Sequence, residues 1–597
     1  MPVPRTATRV LAGAAAALLA TTLAAPAASA DGGADAYVRS TMRKMTTDQK
    51  IGQLFVTYAY GTDARTVTEA DAAQNLAAYG VRTPAEVVDK YGLGGVIYFA
   101  WSNNVANPQQ IAKLSNGLQR AAANRDTKVD PPLLISTDQE MGVVVRVGPP
   151  ATQLPGSMAL GATRDPRSAQ QAAQITGREL RAIGINQNYA PDADVNVDPQ
   201  NPVIGVRSFS SDPALVSQLV AAQVTGFEQP GRQGVSSTAK HFPGHGDTST
   251  DSHYGLPVID HTREEWEQLD EPPFRAAVEA GIDSIMTAHI VVPALDPSED
   301  PATLSQPILT GLLRERLGYD GVVVTDSLQM AGVREKYGDD EVAVRAVLAG
   351  ADQLLMPMDM DVAYEAVQEA VASGRISAER LDQSVERILR MKYERGVVQQ
   401  PYVTERRVER VVGTPEHQQA AQSITDRTVT AVANPAGALP TRVEGRSVLV
   451  TGAGVAPATA LGDRLAAQGA VSQVVETGLA PTAAKQAEAA AAAEGKDLVV
   501  VLTNKAWANA GQQQLVSQLQ ATGVPVVVVA VRDPYDAAYV SPDLPFLATY
   551  SSTAVSMESV VRVLTGQVAP TGKLPVDVPV AGQPDEVLYP FGHGLGW

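Results

Sequence analysis

The sequence predicts an α/β protein with an N-terminal (β/α)8 TIM-type barrel followed by a smaller C-terminal α/β sandwich domain. Three observations predict it. From Gln53 to about Pro357, short apolar runs alternate with amphipathic helical stretches, giving eight strand–helix units. Polar side chains follow those runs, at the ends where a barrel binds its ligands. After a weakly patterned stretch the alternation resumes and continues to the C-terminus. With 597 residues the chain exceeds what one core usually holds, so two domains are expected.

The barrel strands are expected at Leu54–Tyr60, Gly95–Ala100, Leu133–Thr137, Ile185–Tyr189, Val235–Lys240, Ser284–Ala288, Val322–Thr325 and Gln353–Met356. Helical periodicity fills the gaps, for example at Pro166–Ile183, Asp212–Glu228 and Thr262–Ala280. The polar strand ends are Asp138, Asn188, Lys240 with His241, His289 and Asp326, which a barrel would gather at one mouth. The barrel domain is placed at residues 31–395 and a linker at 396–422, where Pro401, the charged run Glu405-Arg406-Arg407 and Pro415 interrupt the pattern. Residues 423–597 form the second domain, with strands expected at Ser447–Thr451, Val471–Val475, Leu498–Thr503, Pro525–Val531 and Phe546–Tyr550. In that domain Gly452-Ala453-Gly454 begins like a dinucleotide fingerprint, but Pro457 stands where its third glycine belongs, so a tight βα turn is expected. The alanine-rich Ala483–Ala493 is a plain helix of high propensity.

Residues 1–30 read as an export signal, with Arg5 and Arg9 before an apolar run from Leu11 to Ala25. Cleavage is expected after Ala30, at Ala28-Ser29-Ala30, which makes the mature protein secreted. The apolar run is too short and alanine-rich for a membrane anchor, and no cysteine offers a lipid attachment or a disulfide. The net charge of −18 argues against nucleic acid and anionic membranes as partners and is compatible with a neutral sugar. Composition leaves the oligomeric state open.

Chemistry concentrates in Lys240-His241-Phe242-Pro243-Gly244-His245-Gly246-Asp247-Thr248-Ser249-Thr250-Asp251-Ser252-His253, which holds three of the seven histidines. Histidine changes charge near neutral pH, so the cluster points to proton transfer or to a metal. His241 and His245 stand four apart, but Pro243 and Gly244 disfavour the helix that would bring both rings to one face. With no cysteine and no His-Glu-x-x-His helix, neither metal nor other cofactor is expected.

This segment resembles the signature of glycoside hydrolase family 3, in its β-N-acetylglucosaminidase branch, where Lys-His-Phe-Pro-Gly-His-Gly runs into Asp-x-x-x-Asp-Ser-His. Met45-Thr46-Thr47-Asp48-Gln49-Lys50-Ile51-Gly52-Gln53 and Tyr589-Pro590-Phe591-Gly592-His593-Gly594-Leu595 extend the likeness over nearly the whole chain. The resemblance implies a retaining glycosidase with His253 as general acid/base, Asp251 as its partner and Asp326 as nucleophile. A carboxylate beside an imidazole orients it and stabilises its protonated form. By the same likeness Asp138, Arg146, Arg207, Lys240 and His241 bind the hydroxyls of a sugar carrying N-acetylglucosamine. On local sequence alone Asp326 could instead cap a helix beginning at Ser327. One position departs: the family commonly reads Gln-Glu-Gly-Gly-Arg-Val where this chain has Gln139-Glu140-Met141-Gly142-Val143-Val144, so Val143 replaces an arginine. The expected substrates are peptidoglycan fragments or chitooligosaccharides. Two alternatives stay open: a phosphorylase that passes the sugar to phosphate, and a glycan-binding protein without catalysis, which would not need the Asp326, Asp251 and His253 set.

Overall fold

The computed structural model describes residue 1 and residues 30–125, 127–230, 233–334 and 336–597. Residues 2–29, nearly all of the expected export signal, lie outside the described residues. No described helix is long and apolar enough to cross a membrane.

Eight short strands form the barrel: β1 (Phe55–Thr57), β2 (Gly95–Ile97), β3 (Leu134–Thr137), β4 (Gln187–Asn188), β5 (Thr238–Phe242), β6 (Ser284–Thr287), β7 (Val322–Val324) and β8 (Leu354–Leu355). Every strand pairing among them is parallel, in the orders β4-β3-β2-β1-β8 and β5-β6-β7. Single bridges from Gln187 to Ser236 and from Val324 to Gln353 close the ring. Inside, Val56, Ile97, Tyr189, Met286, Val324 and Leu355 make a packed apolar layer. Such a filled interior leaves ligands only the mouth.

Helix starts are written locally. Asp165 and Asp212 each cap a helix whose first residue is proline, at Pro166–Ala182 and Pro213–Phe227. The single helix expected over Thr262–Ala280 is two, Arg263–Leu269 and Glu271–Glu279. Pro272 and Pro273 carry no N–H donors, so the first helix ends before them. The stretch 396–422, read as a linker, is also more ordered than its pattern implied. Thr404 and Thr414 cap helices at Glu405–Val411 and Pro415–Thr425, and Glu179 of the barrel accepts from the Gly413 N–H (3.0 Å) and from His417 Nδ1 (2.7 Å).

The C-terminal domain is built on β9 (Thr430–Ala433), β10 (Ser447–Gly452), β11 (Val471–Glu476), β12 (Leu498–Thr503), β13 (Val526–Ala530) and β14 (Phe546–Ala548), in the order β11-β10-β12-β13-β14-β9. Only β9, which the sequence reading missed, runs antiparallel. A hairpin of β15 (Val578–Val580) and β16 (Gln583–Tyr589), also missed, follows. Gly452 has φ 108° and lies against Leu502 O, where a Cβ would come within 2.1 Å, so the Gly452–Gly454 turn is a packing requirement. Met158, Ala162 and Val206 of the barrel share one buried cluster with Val432, Tyr535 and Leu574, which ties the domains together.

Asp352, just before β8, is fully buried and gathers Arg314 (2.6 Å), Arg387 (3.4 Å) and Arg380 (3.5 Å), while also accepting from the Val323 N–H of β7 (2.9 Å). Removing one member of a buried ion cluster strands the others' charge. Asp352→Ala should therefore destabilise the barrel by about 3–5 kcal/mol, read as a lower unfolding temperature in calorimetry.

Candidate active site

A cavity of about 440 Å³ opens at the barrel mouth. Of the residues singled out from sequence, Asp138, Arg146, Arg207, Lys240, His241, His253 and Asp326 all line it. Asp251 does not, and reaches the cavity only through His253. Asn188 and His289, expected at the mouth as strand ends, do not line it either. Asn188 exchanges hydrogen bonds with the Gln139 backbone (2.8 and 3.1 Å) and so holds the loop carrying Asp138.

Lys240 and His241 are adjacent, so a regular strand would point them to opposite faces. Strand β5 has a bulge: Ala239 pairs with Ile285 and Phe242 with Thr287, three steps against two. The extra residue re-aims the chain and brings both side chains to the cavity. Lys240 Nζ donates to Asp138 Oδ1 (3.1 Å) and contacts Glu140 Oε1 (2.5 Å). Arg207 grips Glu140 with two parallel bonds (2.8 and 2.9 Å), and Arg146 lies 3.6 Å from Asp138. Burial opposes the charge of Glu140, but Arg207 and Lys240 outweigh it and hold its carboxyl far below the usual range. In the sequence Glu140 stands out only as part of the Gln139–Val144 motif. Its place, two residues after Asp138 beyond a strand end, was the available signal.

Behind His241 stand Asp192 and Asp194, both buried and both missed. Asp194 Oδ2 pairs with His241 Nδ1 (2.7 Å), and Asp194 Oδ1 accepts from the backbone N–H groups of His241 (3.2 Å) and His245 (2.7 Å). Burial works against the Asp194 charge, yet His241 and His245 bring its pKa down to about 2. Burial and the neighbouring Asp194 push Asp192 well up. Asp192, Asp194 and His241 offer three donor atoms within 4.8 Å of one another, but both Asp194 oxygens already accept hydrogen bonds. The group orients an imidazole.

Asp326 follows β7 and is partly buried, with Oδ1 accepting from the Ser327 N–H (2.7 Å). The next helix begins only at Ala331, so no cap is formed at Ser327. Burial opposes the charge of Asp326, but His241, His289, that N–H and Lys240 hold its pKa below the usual value. His289 Nε2 donates to Ser327 O (2.9 Å) and Nδ1 pairs with Thr303 (2.8 Å), which fixes the turn after Asp326. His253 comes from the loop after β5 and its side chain is 55 % exposed. Asp251 Oδ1 accepts from both the N–H (2.9 Å) and Nδ1 (2.7 Å) of His253. A carboxylate accepts only, so Nδ1 carries a proton and Nε2 is free to exchange one.

Two histidines hold this loop. His245 Nε2 pairs with Ser252 Oγ (2.9 Å), and burial pushes the His245 pKa down to about 4, so it is neutral there. His261 bridges Asp247 (2.6 Å) and Asp270 (2.8 Å), and these two hydrogen bonds raise it to about 10 against burial. The opposite wall is apolar, where Phe99 and Trp101 stack at 4.9 Å. Val143, in place of the family's arginine, is partly exposed, while Val144 lines the cavity.

The model of the glycosyl hydrolase family 3 N-terminal domain matches residues 46–391, and that of the family 3 C-terminal domain residues 429–597. The chain is 37 % identical over 432 residues to beta-hexosaminidase A of Pseudoalteromonas piscicida, covering 68 % of this chain and 70 % of that protein. It is 30 % identical over 577 residues to a beta-N-acetylglucosaminidase/beta-glucosidase of Cellulomonas fimi, covering 91 % and 95 %. A solved family 3 beta-N-acetylglucosaminidase from Paenibacillus sp. str. FPU-7 superposes with a TM-score of 0.80 at 38 % identity, covering 90 % of this chain and 99 % of that one.

Two outcomes follow from the histidines. The folded pKa of His261 is raised above its unfolded value, so its stabilisation is full below about pH 6.5 and is lost as pH rises towards about 10. The difference in unfolding temperature between the native protein and His261→Asn should therefore shrink from pH 7 to pH 10. A constant difference would show that His261 acts through packing alone. Because both Asp194 oxygens are taken by N–H donors, prolonged chelation should leave activity unchanged, and loss restored by zinc would reverse that assignment.

Proposed function

The chain belongs to glycosyl hydrolase family 3 and is a glycoside hydrolase, and from that premise we propose that it is an exported, retaining β-N-acetylhexosaminidase. Its substrates are terminal, non-reducing β-linked N-acetylglucosamine residues of peptidoglycan fragments or chitooligosaccharides. The observation that carries this reading is that Asp326 and His253 line one cavity, beside the Asp138–Lys240–Glu140–Arg207 ion network. The names of the relatives support the sugar, and the apolar run at residues 11–25 supports export.

The network supplies fixed donors and acceptors for sugar hydroxyls. One Asp326 oxygen attacks the anomeric carbon as the bond to the leaving oxygen breaks, and His253 Nε2 gives that oxygen its proton. A glycosyl ester remains on Asp326. His253, now neutral, takes a proton from water, whose oxygen displaces the ester and restores the aspartate. Asp251 keeps Nδ1 protonated throughout, so the exchange stays at Nε2.

Purified protein should release N-acetylglucosamine from a chromogenic β-N-acetylglucosaminide in phosphate-free buffer. Equal or better turnover of the β-glucoside would overturn the sugar assignment, and sugar-1-phosphate as main product in phosphate would replace hydrolase by phosphorylase.

Asp326→Asn should abolish turnover with every leaving group, because each substrate needs the nucleophile. His253→Ala should lose about 100- to 10,000-fold on poor leaving groups. With a dinitrophenyl glycoside, whose leaving group departs without a proton, it should still show a burst and a trapped adduct on Asp326 by mass spectrometry. Equal loss on good and poor leaving groups would remove His253 as acid/base.

A further inference from the structure

We propose that a second cavity, where the C-terminal domain meets the barrel, is a glycan subsite that holds a pyranose ring on the leaving-group side of an oligomeric substrate. The cavity measures about 190 Å³ and is lined by Trp507, Tyr535 and Tyr539, with Asp198 and Gln200 from the barrel and Gln583 from the β15–β16 hairpin. That lining suits a sugar. The C–H face of a pyranose packs on aromatic rings, while amide and carboxylate groups pair with its hydroxyls.

The rings are held before any ligand arrives. Trp507 donates from Nε1 to Asp533 Oδ2 (3.4 Å) and from its backbone N–H to Asp536 Oδ1 (3.0 Å). Asn196 of the barrel donates to the Tyr535 hydroxyl (3.2 Å) across the domain boundary. Side chains already fixed lose little freedom on binding.

Position links this cavity to the catalytic one. Residues 198–207 border both: Asp198 and Gln200 line the junction cavity, Val203 and Arg207 the catalytic one. The segment turns back on itself, with the Asn201 N–H bonded to Asp198 O (3.1 Å). Gly205 within it sits against Asp533, the carboxylate that holds Trp507; a Cβ there would lie 3.1 Å from Asp533 Oδ1. On the other side, Lys505 Nζ lies 5.9 Å from the centre of the Trp507 ring, and Asn201 Nδ2 of the shared segment donates to His245 O (2.9 Å) in the loop that carries His253. The junction cavity therefore flanks the loop whose histidine meets the leaving oxygen, so the rest of a longer glycan emerges towards Trp507. This orientation rests on the glycosidase reading above, which places His253 on the leaving-group side.

The test compares native protein with Trp507→Ala on two substrates. An aryl β-N-acetylglucosaminide fills only the catalytic cavity, so its kcat/KM should stay unchanged. For chitotetraose kcat/KM should fall about threefold to tenfold, the range expected for losing one aromatic stacking partner, and Trp507→Phe should restore most of it. Equal loss on both substrates would show that Trp507 only supports the catalytic cavity, and no loss on chitotetraose would show that no sugar ring sits there; either overturns the subsite. Calorimetry of chitotetraose binding in the Asp326→Asn background, with and without Trp507→Ala, separates the two readings. Binding weakened by the same factor supports the subsite even if the native protein spares the aryl glycoside, a failure that would count against the glycosidase reading alone. Unweakened binding overturns the subsite.

Discussion

The site depends on one buried run of alternating charge, Arg146–Asp138–Lys240–Glu140–Arg207, laid across the barrel mouth. The Lys240 and Glu140 side chains are each only 3 % exposed. Taking such groups out of water costs several kcal/mol each, recovered only where partners are well placed. Such a network is a poor way to gain stability and a good way to hold donors and acceptors rigid. Stability comes from below, where the apolar layer fills the barrel and Asp352 binds its arginines. The two roles are separated along the strands, with packing inside and polar recognition at the C-terminal ends.

Rigidity is distributed unevenly between the two catalytic candidates. Asp326 is partly buried, tied to the Ser327 N–H, and backed by His289 on the following carbonyl. A carboxylate so held has little conformational freedom left to lose. His253 is half-exposed on a loop, oriented by Asp251 and anchored nearby by the His245–Ser252 pair and the His261 bridge. The histidines of this one segment thus take different places: His241 and His253 line the cavity, and His245, in its neutral form, holds the loop through Ser252.

Much of this architecture was legible in the residues. All eight barrel strands fall within or beside the short apolar runs, five of them at the named polar ends, and the Pro166 and Pro213 helices start where Asp-Pro pairs cap them. The misreadings also have physical causes. Pro272 and Pro273 split a helix whose apolar spacing continued through them. Strand β9, Thr-Ala-Val-Ala, carries mostly small side chains, so no marked apolar run stands out there. The two short helices within residues 396–422 draw their order from docking on Glu179 and neighbouring barrel helices, which the local pattern does not carry.

The sequence by itself determined the elements, their order and the chemical types at each strand end, because hydrophobic period, capping residues and turn residues act over a few positions. Tertiary structure alone decided which of those types meet. Glu140 meets Arg207 across 67 residues and Asn196 meets Tyr535 across 339, and His289 was turned from a supposed cavity residue into a brace for the Asp326 turn. The bulge in β5 that turns Lys240 and His241 to one side is a matter of register with β6. Such partnerships arise from barrel closure and domain docking, which bring distant segments within hydrogen-bond range, and no local pattern in the chain encodes those distances.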